Sequence, residues 1–164
     1  MEAKVTLEQK DIFRFLLYYL YVKPVGALYL LVGLGAVGAG VYFITAGNNM
    51  GIYLIVFAAI YLALQPYVLF TKSKKVSSNP FFKEPTVYRF SEEKIEIRLP
   101  DGDETELLWE NVYRFVRSRE EYYMFLDRQR ANIIPVRTLG PSSEELEKMV
   151  RKMMDPKKVR GLKK

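Results

Sequence analysis

The chain has 164 residues, with 25 Lys and Arg against 19 Asp and Glu, for a formal net charge of +6. It contains neither Cys nor His, which excludes a disulfide framework, thiolate chemistry and the side chain most used as general base, metal ligand and pH switch. The near-zero mean hydropathy of −0.06 averages a charge-free stretch with charge-dense flanks, and the basic excess beside that stretch and at the C-terminus suits an anionic membrane leaflet and not a nucleic acid.

At the N-terminus, Glu2–Thr6 reads as a short strand. Glu2, Glu8 and Asp11 precede the apolar run, so no cleaved signal peptide is expected. Thr6-Leu7-Glu8-Gln9 matches a capping box, in which Thr6 bonds the Gln9 amide and Gln9 reaches back, and a helix should follow through about Val22. Its Tyr18, Tyr19 and Tyr21 stand among Ile, Phe and Leu, as suits a membrane interface. Residues 1–23 are therefore read as an N-terminal interfacial amphipathic helix that breaks near Lys23-Pro24. The alternative is a helix packed on a soluble domain.

Residues 24–71 carry no Asp, Glu, Lys or Arg. Gly47-Asn48-Asn49-Met50-Gly51 divides them with turn-forming residues. The stretch is read as a transmembrane hairpin with spans at about 25–46 and 52–70, each long enough for a hydrocarbon core of roughly 30 Å. A buried hairpin in a soluble protein is disfavoured because neither helix offers a polar face. Gly26, Gly33 and Gly40 recur every seven residues and form a candidate helix-packing face, with Ala58, Ala59 and Ala63 as a possible counterpart. Pro66 should kink the second helix. Neither span holds an ionisable group, which argues against a proton or ion pathway through the hairpin alone.

Lys10, Arg14 and Lys23 flank the first span and Lys72, Lys74 and Lys75 the second, while the loop has no charge. By the positive-inside rule both termini face the cytoplasm from the plasma membrane. Residues 72–85 read as a basic juxtamembrane linker, whose Lys72, Lys74 and Lys75 are candidate contacts for lipid headgroups.

From Thr86 the period becomes that of strands, most cleanly in Lys94-Ile95-Glu96-Ile97-Arg98-Leu99. Strands are expected at about 86–91, 94–99, 104–109, 112–118, 121–127 and 131–137, paired antiparallel through short connections. Phe90, Ile95, Ile97, Leu107, Trp109, Phe115, Phe125 and Ile134 are core candidates. A last helix starts at Pro141-Ser142, capped by Ser142 with Glu145, and carries the stripe Leu146, Met149, Val150, Met153. Residues 156–164 form a basic tail, expected to be disordered.

These motifs together resemble the YcxB-like membrane proteins of bacteria. The resemblance lies in Thr6…Asp11-x-Phe13 before the first span, the uncharged hairpin and Asn79-Pro80 after it. It is densest in Thr86-x-Tyr88-x-Phe90-Ser91-x-Glu93, Leu108-Trp109-Glu110-Asn111-Val112 and Ile133-Ile134-Pro135-x-Arg137. It implies an α+β membrane protein: a two-helix transmembrane hairpin plus a pleckstrin-homology-like antiparallel sheet over residues 86–155, capped by a C-terminal helix. Such a sheet has seven strands and six are visible here, so either Glu2–Thr6 supplies the seventh or residues 86–137 divide differently. The layout is also similar to that of sublancin-type bacteriocin immunity proteins.

The acidic pairs Glu92/Glu93, Asp101/Asp103 and Glu120/Glu121 fall at expected turns and read as solvated hairpin tips. Arg114, Arg117, Arg119, Arg128, Arg130 and Arg137 would make an anion site only if they converged. No phosphate loop, nucleophile elbow or metal spacing is present. No catalytic residue, cofactor, metal or nucleic-acid partner is therefore expected. The leading expectation is a membrane-anchored cytoplasmic binding or regulatory module, not an enzyme, that meets the lipid bilayer and a protein or peptide partner or a second copy. Alternatives are bacteriocin immunity and an accessory role in a membrane transporter.

Overall fold

The computed structural model describes all residues except Lys23, Lys83, Lys163 and Lys164, so the expected break at Lys23 lies outside the described residues. The chain forms two compact units, one made of Met1–Ile12 with Val76–Lys164 and the other of Phe13–Lys75.

The second unit is helical. Helix α1 (Gln9–Val22) enters it, and α2 (Pro24–Thr45) and α3 (Met50–Ser77) form the hairpin. Both α2 and α3 contain windows long and apolar enough to cross a membrane, with only 17% and 6% of those windows buried. The turn uses the expected residues. Gly47 adopts φ +77, and the Asn48 side chain accepts from the Met50 amide at 2.9 Å. The α2–α3 contact is closest where backbone meets backbone. A Cβ on Gly40 would lie 2.7 Å from Ile55 Cγ1 and 2.9 Å from the Gly51 carbonyl oxygen, and a Cβ on Gly51 would strike the Gly40 carbonyl. Further along, the Tyr29 and Tyr61 rings stack with centroids 4.4 Å apart, and the Tyr29 hydroxyl donates to the Tyr61 carbonyl. Phe13 of α1 meets Phe70 of α3 edge-on at 5.9 Å. Because only glycine leaves room at the first crossing, Gly40→Leu should destabilise the hairpin by about 2 kcal/mol or more. Gly35→Leu, at a position open to its surroundings, should not. Thermal unfolding of the two variants in detergent, followed by circular dichroism, measures the difference.

Helix α3 extends past the expected end of the span to Ser77 and runs through Pro66. The linker thus begins only after Lys72, Lys74 and Lys75, which lie on the last turns of α3. Lys74 and Lys75 in the final turn are favourable to the helix dipole, and lysine propagates a helix well.

The sheet unit contains two four-stranded sheets. In the first, β1 (Glu2–Val5), β2 (Thr86–Phe90), β3 (Lys94–Arg98) and β4 (Glu104–Leu108) lie in sequence order, all antiparallel. In the second the order is β7-β6-β5-β8, from β5 (Arg114–Arg117), β6 (Glu121–Phe125), β7 (Ala131–Pro135) and β8 (Val159–Arg160). β8 runs parallel to β5, with Phe115 opposite Val159. All six expected strands are present, trimmed by one or two residues at their ends. Glu2–Val5 supplies the seventh, with Glu2 opposite Arg89 and Val5 opposite Thr86. The hairpin is therefore inserted between two strands that pair directly.

Alternation drives the packing. Ala3 and Val5, Tyr88 and Phe90, and Ile95 and Ile97 turn inward and meet Phe115, Tyr122, Met124 and Ile134. Helix α5 (Ser143–Met153) closes this core with fully buried Leu146 and Val150, while Met149 and Met153 flank it. Trp109 is buried, and its indole N–H donates to the Ser91 carbonyl at 2.9 Å. Leu107 is only partly buried.

Three local expectations change. The first helix does not use the Thr6–Gln9 box. It starts at Gln9, and the Asp11 carboxylate accepts from the Glu8 amide at 2.7 Å, so the cap is shifted two residues along. Ser142 makes no side-chain cap on α5, because a short helix α4 (Val136–Leu139) and a 3-10 turn at Gly140–Ser142 lead directly into it. The tail is ordered through Leu162. Asp155 caps the Lys157 amide at 2.8 Å, β8 pairs with β5, and Leu162 packs on the core.

Candidate functional site

The outward side chains of β1–β4 line a shallow cleft of about 440 Å³. Period-two alternation puts Glu2 and Lys4, Arg89, Glu96 and Arg98, and Glu104 and Glu106 on this face. Register then sets opposite charges side by side. Arg89 reaches Glu2 at 3.2 Å and Glu96 at 3.4 Å, Lys94 reaches Glu96 at 3.0 Å and pairs with Glu106, and Arg98 Nε donates to Glu104 at 2.6 Å. These contacts hold the Arg89 and Lys94 pKa values above their usual ranges, through Glu2 first for Arg89 and Glu106 first for Lys94. Lys94 is likewise the main influence lowering that of Glu96. Exposed pairs of this kind contribute little stability. Chemically the cleft offers a grid of both signs, with four carboxylates and three cations in its lining and Lys94 paired to Glu96 and Glu106 beside it, which leaves no surplus for a ligand of a single charge.

A second charged cluster is buried. Asp11, fully inaccessible, receives the Arg137 guanidinium as a fork, with Nη1 to Oδ1 and Nη2 to Oδ2 both at 2.6 Å. Arg137 also reaches Glu8 at 3.1 Å and donates to the Thr6 carbonyl at 3.3 Å. Asp11 is the main cause raising the pKa of Arg137. Glu8 is lowered, by Lys10 first and Arg137 second among its cations. Buried Glu121 accepts from the Tyr123 hydroxyl at 3.3 Å. A third cluster joins β5, β6 and α5. Arg117 pairs with Glu147 at 3.2 Å and lies 4.6 Å over the Tyr122 ring, whose hydroxyl donates to Glu147 at 2.6 Å. Burial, then this bond, pushes the Tyr122 hydroxyl pKa up.

The arginines considered as an anion site thus divide among different partners. Arg137 serves Asp11, Arg117 serves Glu147, Arg130 serves Asp127 at 2.6 Å, and Arg114 lies 5.6 Å from the Tyr113 ring centre. Of the acidic pairs, Asp101 accepts from the Asp103 amide and Glu92 pairs with Lys152. Glu121 is no hairpin tip, being a buried residue of β6, a strand covered on both sides. No group of three or more Asp or Glu is placed to hold a metal ion among the described residues.

Asp127 organises the β6–β7 turn, accepting from the Gln129 amide at 2.6 Å, the Arg130 amide at 2.8 Å and Arg130 Nε at 2.6 Å. The backbone bonds, with the Arg130 side chain third, lower its pKa to about 2. A carboxylate lowered in the folded state stabilises above its unfolded pKa, near 4, and that contribution fades as pH falls through about 2. Asp127→Ala should therefore lower the thermal midpoint at pH 6, and the gap to the parent should close as pH falls through this window.

The candidate packing glycines have distinct places. A Cβ on Gly33 would strike Leu62 of α3, and Gly40 meets Ile55 and Gly51. Gly26 instead abuts the Leu20 carbonyl of α1. Gly51, read from sequence only as part of the turn, is a full member of the crossing. Gly33 and Gly40 thus face α3 within the hairpin. Lys72, Lys74 and Lys75 are exposed on α3, while Ser73 between them is buried and donates to the Phe70 carbonyl at 2.7 Å.

Comparison with known proteins bears on this unit. No curated protein and no solved structure gives a match. The family model described as YcxB-like protein matches residues 90–153, from the end of β2 to the end of α5. That span takes in β3–β7, the closing helix and Arg137, and leaves β1 and the hairpin outside. The sheet-and-helix region at residues 90–153 is accordingly YcxB-like.

Proposed function

We propose that the protein is a membrane-anchored binding or regulatory module without catalytic activity. Its hairpin spans the plasma membrane with both termini in the cytoplasm, and its sheet unit engages a protein or peptide partner there. The observation that carries this reading is the exposure of the hairpin. Nearly all exposed large apolar residues among those described fall between Tyr21 and Phe70. Leu31, Val32 and Leu34 on α2, and Val56, Phe57 and Ile60 on α3, point in different directions round their helices. Such all-round apolar helices are solvated by lipid and not by water.

The pairing of β1 with β2 supports an even number of crossings, because it needs both ends of the hairpin on one side. Four strands followed by three, then a closing helix and the short β8 on the edge of the second sheet, support a pleckstrin-homology-like layout. The mixed-sign cleft on β1–β4 suits a partner that itself presents both charges. Resistance to alkaline extraction, together with reporters fused at each terminus and at Asn49, tests the anchor. Extraction into the soluble fraction, or termini on opposite sides, would sink it. Photo-crosslinking from Glu104 in native membranes tests the partner, and the absence of a protein adduct counts against it.

A further inference from the structure

β4 is the last strand of the first sheet, and its far side has no pairing strand among the described residues. Hydrogen bonding across β3 alternates. The Ser91 amide donates to the Lys94 carbonyl at 3.0 Å, on the β2 side, and the Leu99 amide to the Asp103 carbonyl at 2.8 Å, on the β4 side. By that alternation β3 takes the backbone groups of Thr105 and Leu107, and the N–H and C=O of Glu104, Glu106 and Leu108 point away from the sheet. Four of the five residues of β4 are exposed. Thr105 turns to the core side, opposite buried Ile97, and is exposed even so. Sheet edges are ordinarily blunted by lysine, proline or a bulge. Residues 104–108 contain neither Lys nor Pro and pair with β3 one for one.

We propose that the β4 edge accepts an extended basic segment of a partner protein as a fifth strand of this sheet. Charge and register choose the occupant. The side chains of Glu104 and Glu106 are 61% and 64% exposed. β3 supplies one cation to each, Arg98 and Lys94, and no second cation reaches either among the described residues. Between Arg98 and Arg114 the chain carries five acidic residues and no basic one. Lys158 lies past the end of the strand, at the Glu110 and Val112 carbonyls. An added strand sets its outward side chains beside Glu104, Glu106 and Leu108, and its inward ones beside Thr105 and Leu107. Cations fit the first two places and apolar groups the other three. A second copy of β4 fits poorly, because the antiparallel register that uses the whole strand sets Glu106 against Glu106. Main-chain bonds would supply affinity, and the alternation of cationic and apolar side chains specificity. The inference rests on the reading that the sheet unit engages a protein or peptide partner, and gives the basic part of that partner its place.

The test uses the full chain in neutral detergent and a dye-labelled peptide of alternating valine and lysine, followed by fluorescence anisotropy. This peptide should bind, and one of alternating valine and glutamate should not. Leu108 has φ −76, close to the value of about −65° that proline fixes, so Leu108→Pro removes an outward N–H without bending the strand. Affinity for the lysine peptide should be about tenfold lower in Leu108→Pro than in Leu108→Ala. Glu104→Gln combined with Glu106→Gln should lower it about fivefold. Equal affinity of the proline and alanine variants reports attraction of charge without strand pairing and overturns the proposal. On the parent chain, a lysine peptide methylated at alternate amides that binds as well as the plain one overturns it too. In native membranes, an adduct from the Glu104 crosslinker that survives Leu108→Pro takes the partner off the edge and leaves the partner standing. The absence of any adduct overturns both.

Discussion

Replacing Arg137 by Leu is expected to destabilise the sheet unit by about 3 kcal/mol or more. The substitution leaves the Asp11 carboxylate buried with the Glu8 amide as its one remaining donor among the described residues. An uncompensated buried charge typically costs about 3–5 kcal/mol, and the partial exposure of Arg137 places this case at the lower end. Since domains of this size are stable by about 5–15 kcal/mol, the loss is a large fraction of the whole. Unfolding in detergent, followed by the fluorescence of the single Trp109, measures it. The double replacement Asp11→Leu with Arg137→Leu should recover most of the loss, because neither partner is then left charged and buried. A single variant within about 0.5 kcal/mol of the parent would mean that the pair is a surface contact.

The second large effect concerns what counts as the domain. A fragment of residues 76–164 should fail to fold, and a fusion of residues 1–12 to residues 76–164 through a flexible linker should fold and remain monodisperse. The shorter fragment lacks β1, so the inward faces of Tyr88 and Phe90 lose Ala3 and Val5, and the backbone of β2 loses one of its two ladder partners and becomes an open edge. It also lacks Asp11, which leaves Arg137 without its fork. The amide spectrum by NMR distinguishes the two: dispersed resonances for the fusion, collapsed ones for the fragment. A well-dispersed spectrum from residues 76–164 alone would show β1 to be dispensable.

These two effects mark where the sequence stops being legible. Local signals were sufficient for the hairpin, for β2–β7 and for α5. A run without charge, an alternation such as Lys94–Leu99 and a stripe such as Leu146–Val150 each report on their immediate neighbours. The Arg137–Asp11 fork joins residues 126 positions apart, and no periodicity announces it. The cap at Asp11 escapes the sequence pattern for a related reason. The Thr6–Gln9 pattern was present, but Asp11, already fixed by Arg137, sits where it can take the Glu8 amide. The position of β6 is legible, yet the full burial of Tyr122, Tyr123 and Glu121 is not, because a strand covered on both faces does not alternate. The crossing at Gly40 and Gly51 was half legible, since the heptad of glycines pointed to Gly40 and the turn motif obscured Gly51.

The insertion of the hairpin between β1 and β2 also sets a timetable. Met1 donates to the Phe90 carbonyl across 89 residues, so the first strand leaves the ribosome long before its partner exists. At about 5–20 residues per second the interval is roughly 4–18 s, far longer than a hairpin of neighbouring strands needs to close. Throughout it the nascent chain carries an unpaired strand while the two long apolar helices are made. Until β1 pairs with β2, the core that β2–β7 build stays open at that edge. Pairing of β1 with β2 thus follows the synthesis of both helices of the hairpin.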